Sequence, residues 1–96
     1  MAVEPLHTKI EKTIPTIIGM VILENYFDFP HDISNLYCVK ENGDMVWQAE
    51  TPEPRAHYTR VMLNTDGYSL LAYANTGQAC EIELATGKLL RQFGII

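Results

Sequence analysis

Positive charge is scarce in this 96-residue chain: seven basic residues stand against twelve acidic ones, for a net charge of −5. The densest basic stretch, around Lys9 and Lys12, is interrupted by Glu11. Nucleic-acid binding needs a basic face that neutralises phosphates, so no nucleic-acid partner is expected. Long apolar runs are missing too. The longest, Ile14 to Leu23, is too short for a bilayer span and is broken by Pro15, Thr16 and Gly19, so no membrane association is expected. Met1-Ala2-Val3-Glu4-Pro5 has neither a basic n-region nor an apolar h-region. A signal peptide is therefore not expected, and the expected address is the cytoplasm. There Cys38 and Cys80 are expected to be reduced and to pack as small apolar side chains, although nothing in their spacing forbids a disulfide. No Cys-x-x-Cys or paired-His spacing, Gly-rich phosphate loop or Gly-x-Ser-x-Gly elbow occurs. No cofactor and no metal are expected, and the reading leans away from an enzyme.

What the chain does have is a rhythm of turns. Gly43, Gly67, Gly77 and Gly87 each follow Asn, Asp or Thr and separate apolar runs. Asn42-Gly43, between Leu36–Lys40 and Met45–Ala49, is the strongest hairpin signal and predicts a type I′ turn. Strands are expected near Tyr58–Leu63, Tyr68–Ala74, Ala79–Leu84 and Leu89–Phe93. In the third of these Cys80, Ile82 and Leu84 alternate with Glu81 and Glu83, the mark of a sheet with one wet face. An earlier buried strand is read from Thr16 to Leu23, kinked at Gly19 and running on toward Phe29. Residues 30–35 read as a loop, and Glu50 to His57 as an irregular stretch around Pro52 and Pro54.

These elements predict an all-β fold: a small antiparallel meander or sandwich of about six or seven strands. Residues 1–15 form an irregular N-terminal arm and residues 16–96 a single domain. A chain of this length buries only about two-thirds of its unfolded surface, and its sheet edges need protection. A homo-oligomer, most simply a dimer, is therefore expected. Ile95 and Ile96 at the apolar end are its candidate interface residues.

The two best hairpins align with each other. Asn35 to Gln48 lies over Ala79 to Gln92 at an offset of about 44 residues, within the period of propeller blades. The segments Tyr37 to Trp47 and Glu83-Leu84-Ala85-Thr86-Gly87-Lys88-Leu89-Leu90 are similar to the outer hairpins of quinoprotein-like β-propeller blades. Arg91 stands where the first copy has Trp47. The resemblance covers residues 20–50 and 66–93 and implies about two blades. A propeller has about four to eight, so two blades imply either assembly of several copies or, preferred here, another small β-structure. No quinone- or metal-binding residue carries over.

The chemistry-bearing residues each have a plainer reading. His31-Asp32 with Asp28 has the makings of a metal or acid–base site, but an Asx-type turn fits the same residues. Cys38, Cys80, His31 and His57 lack zinc-ligand spacing, and core thiols are preferred. Among the large aromatics, Phe27 and Phe29 are expected in the core by alternation with Val21 and Leu23. Trp47, Arg55, His57 and Tyr58 are the candidate binding residues, as a polar-aromatic group beside the proline-rich loop. The expected function is a non-catalytic binding or protein-interaction module. The alternative is a small-ligand carrier or small enzyme with a cavity between sheets.

Overall fold

The computed structural model describes residues 4–94. Ile95 and Ile96 lie outside the described residues. Within them the chain is all-β, with eight strands and no helix: β1 Ile10–Pro15, β2 Met20–Glu24, β3 Leu36–Val39, β4 Met45–Gln48, β5 Tyr58–Leu63, β6 Ser69–Ala74, β7 Gln78–Glu83 and β8 Leu89–Gly94. They form two four-stranded antiparallel meanders, β1-β2-β3-β4 and β5-β6-β7-β8.

The strand count exceeds the expected six or seven because of the N-terminal region. Residues 10–15, read as arm, pair with β2 as an edge strand. Proline suits its last position, since an edge strand needs no donor on its open side. The run Thr16–Leu23 is not one kinked strand. Residues 16–19 form the turn into β2, closed by Thr16 N donating to Gly19 O at 2.9 Å. Gly19 is required there by close approach: a Cβ would collide with Val39 O. Phe27 is 71% exposed, against expectation, whereas Phe29 is buried. β2 stops at Glu24 and Asp28 takes a positive φ of 67°, so strand alternation ends before Phe27. The Asn42-Gly43 turn is also not type I′. Only Gly43 has positive φ, and Gly43 N donates to Lys40 O, the signature of a type I turn closed by a glycine bulge.

The two sheets are equivalent strand by strand. Each has a bulge in its first strand, between Ile10 and Lys12 and between Tyr58 and Arg60, and another in its outer hairpin. Matching the registers places Ile22 on Ala72, Tyr37 on Cys80, Cys38 on Glu81 and Trp47 on Arg91. The faces then follow. Val21, Leu23, Cys38 and Trp47 of the first sheet share one core with Leu70, Ala72, Cys80 and Ile82 of the second. Ile22, Tyr37 and Val39, on the first sheet's other face, form a separate cluster with Ile10 and Met20. Residues equivalent to that separate cluster lie in the shared core. The sheets therefore stack front to back, like face onto unlike face, rather than as a sandwich with two matching inner faces. Lys12 Nζ donates to Val61 O at 2.9 Å across the junction.

Candidate functional site

Meander topology sends four of the five hairpin turns (16–19, 40–44, 64–68 and 84–88) to one end of the stack, opposite the fifth at 75–77. The longer connections 25–35 and 49–57 lie at the other. Arg55, His57 and Tyr58 lie in or directly after the 49–57 connection, but the four sequence candidates do not form one exposed surface. Trp47 is a core residue, 6% exposed, whose indole N–H donates to Leu84 O at 2.7 Å. Its ring lies on Gly87, where a Cβ would come within 2.7 Å of it. Tyr58 is fully buried and donates its hydroxyl to Glu50 O at 2.6 Å. His57 is 3% exposed with Nε2 2.9 Å from Pro30 O; a carbonyl only accepts, so Nε2 carries the proton. Arg55 alone is exposed, held at φ 68°. It lines an open cleft of about 490 Å³ between the two long connections, with His31, Asp32, Ser34, Gln48 and Glu50.

At this end the three histidines and Phe29 form a row of neighbouring rings, with His31 at the cleft. His7 and Phe29 stand edge to face at 5.0 Å between ring centroids, Phe29 and His57 at 5.7 Å, and His31 and His57 at 6.1 Å. Among the described residues no three His, Cys, Asp or Glu side chains are placed to hold a metal ion. The thiols are poor nucleophiles: burial raises the Cys38 pKa to about 11 and also raises that of Cys80.

Two buried polar residues were not singled out by sequence. Asn35 clamps the sheets together. Its side-chain amide donates to Glu24 O at 2.7 Å and Tyr58 O at 2.8 Å, and its Oδ1 accepts from Tyr58 N at 2.8 Å. Glu24 is wholly buried, and its carboxylate accepts from the backbone N–H groups of Leu6, His7 and Thr8 and from the Tyr37 hydroxyl. Burial pushes this carboxyl up, but the hydrogen bonds from Thr8, Tyr37, Leu6 and His7 together outweigh it, and the pKa lies below the ordinary glutamate value. Neither residue has a motif, and both act through contacts distant in sequence.

The turn end has a different character. Ile17 is 87% exposed and Tyr68 75% exposed, on the equivalent turns of the two sheets. With Leu63, Pro15 and Leu84 they line an open cleft of about 580 Å³. Both turns are fixed by side-chain oxygens. Ile18 N and Gly19 N each donate to Thr16 Oγ1 at 3.1 Å, and Tyr68 N donates to Asp66 Oδ1 at 2.8 Å. That bond heads the causes that hold the Asp66 pKa below the ordinary aspartate value.

No protein-family model, curated protein or solved structure matches the chain. Among the described residues no helix is long and apolar enough to cross a membrane.

Proposed function

We propose that this chain is a non-catalytic protein-interaction module that works as a homo-oligomer, with a dimer favoured, and that the turn end is its partner-binding surface. The observation that carries this reading is the pairing of Ile17 and Tyr68, large apolar side chains held out to solvent on two equivalent turns. Exposed apolar groups in a contiguous patch mark interaction sites. Turns tied by their own hydrogen bonds lose little further freedom on binding. Two stacked, equivalent four-stranded meanders also support the reading of the chain as a pair of propeller-blade-like units. Ile95 and Ile96 belong to the proposed oligomer interface, and the proposed compartment is the cytoplasm, in keeping with two buried free thiols.

The test places a photo-crosslinker at position 17 or at position 76, both exposed but at opposite ends, in cells making the full chain. A discrete adduct from position 17, lost when Tyr68 is changed to Ser and absent from position 76, supports the reading. Equal labelling from both positions overturns it.

The small-ligand alternative rests on Arg55, a non-glycine residue in the left-handed region beside the 490 Å³ cleft, since such strain concentrates at binding sites. Chemical shifts at His31 and Arg55 in a small-ligand screen would reveal it.

A further inference from the structure

We propose that the outer face of the second sheet docks a second copy of this chain across a two-fold axis. This rests on the oligomeric reading above and names its surface.

The first observation is positional. Tyr73 and Leu71 on this outer face are the equivalents of Leu23 and Val21, which the second sheet covers inside the chain. Arg60 is the equivalent of Lys12, whose ammonium reaches across that junction to Val61 O. The second sheet thus turns outward the same face that, one sheet earlier, is a stacking face.

The second observation is chemical. Met62, Leu71 and Tyr73 are half-buried there and Phe93 is 47% exposed. The Arg60 guanidinium lies 5.6 Å from the Tyr73 ring centroid, and Arg91 lies 5.6 Å from that of Phe93. Aromatic residues, methionine and arginine are the side chains enriched at protein interfaces. The face also carries both signs of charge: Arg60 and Arg91 against Glu81. Bringing it onto itself therefore sets opposite charges within reach, as a self-complementary patch requires.

The third observation chooses the symmetry. Head-to-tail growth would need the free face of the first sheet in the next copy, but Ile22 is 0%, Tyr37 1% and Val39 6% exposed there within the chain itself. The centre of that face is covered, and its exposed residues, Thr13, Met45 and Gln48 among them, lie on its edge strands. One open stacking face per chain leaves like onto like, which is an isologous two-fold pair. Four strands of about six residues cover roughly 20 Å by 20 Å, about half the ~800 Å² per partner of a standard interface. A dimer that dissociates at micromolar concentration is expected.

Sedimentation velocity of the intact chain over about three decades of concentration centred on the micromolar range tests this. The expected result is a shift from the 10.9 kDa chain mass to twice that value. Tyr73→Asp is expected to weaken dimerisation at least tenfold with the circular-dichroism spectrum unchanged. Should that variant fail to fold, Arg60→Glu, on an exposed side chain, is expected to weaken it several-fold. Lys9→Ala, on an exposed side chain ahead of the first sheet, is expected to leave it unchanged. A monomer at every concentration overturns both the proposed surface and the oligomeric reading. A dimer that survives Tyr73→Asp and Arg60→Glu, or is lost only on removing Ile95 and Ile96, overturns the surface and leaves the oligomeric reading standing. Open-ended growth to larger species overturns the two-fold arrangement.

Discussion

Trp47 and Arg91 occupy the same place in two sheets of the same register, yet one is buried and the other exposed. The difference is what lies in front of each. Trp47 faces the second sheet, finds the Leu84 carbonyl for its N–H and lies flat on Gly87. Among the described residues no further sheet faces Arg91, which pairs with Glu81 at 3.1 Å. The same contrast runs along the strands: Cys38 against Glu81, Leu23 against Tyr73. Strand pairing sets which residues share a face, and stacking sets whether that face is apolar.

Exchanging the two residues is the sharpest way to break the comparison. Trp47→Ala is expected to cost about 3–5 kcal/mol, measured as a fall in the urea midpoint. Trp47→Arg is expected to cost more, because it buries a charge without a partner. Arg91→Trp is expected to change monomer stability by less than about 0.5 kcal/mol. Comparable losses at both positions would mean that the sheets are stabilised alike.

The two equivalent glycines give a finer version. Gly43 and Gly87 both have positive φ, so alanine at either incurs about 1–2 kcal/mol of left-handed strain. Nothing lies within 4 Å of a Cβ at Gly43, whereas one at Gly87 would meet the Trp47 ring at 2.7 Å. Gly87→Ala is therefore expected to cost a further 1–3 kcal/mol or so. Equal midpoints for the two variants would show that the indole shifts aside freely.

Much of this contrast was legible in the sequence. The hairpin rhythm located six of the eight strands, and the Trp47–Arg91 mismatch appeared when the hairpins were aligned. Stacking was not legible, because it depends on which face each sheet turns to the other. Trp47 and Tyr58 therefore read as binding aromatics when each is needed to fill the junction. β1 was hidden for a related reason. An edge strand needs apolar residues only where it touches the core, and Ile10 and Ile14 alone make too sparse a pattern. The candidate site was legible only as loops. The cleft residues Arg55 and His31 stood out by composition, but Ile17 looked like strand interior until Gly19 was seen to close a turn.

Glu24 separates the sheets in another way, since its equivalent in the second sheet is Ala74. Its folded-state pKa is depressed. Its contribution to stability is thus full above the ordinary glutamate value and is lost as pH falls through the lower folded value. Glu24→Gln keeps the shape but loses the charge and sets an amide N–H₂ against donors. It is expected to cost about 1–3 kcal/mol at neutral pH and to flatten the acid limb of the stability profile. Hydrogen exchange at the Leu6, His7 and Thr8 amides reads the same loss locally. An unchanged acid limb would assign the acid sensitivity to other carboxylates.

The smallest effect expected is at Arg91 itself. Its side chain is 65% exposed and that of Glu81 22%, and they share one Nε–Oε1 contact at 3.1 Å. An ion pair this open is screened by salt and offset by the freedom it removes from a long side chain. A double-mutant cycle with Arg91→Ala and Glu81→Ala, run in dilute monomer, is expected to give a coupling below about 0.5 kcal/mol that vanishes in molar salt. Any larger coupling found only at dimer-forming concentrations belongs to the association rather than to the fold. A large coupling in the monomer would instead mean that the outer face of the second sheet is already stabilised by its own charges, and that the contrast with Trp47 is one of chemistry and not of strength.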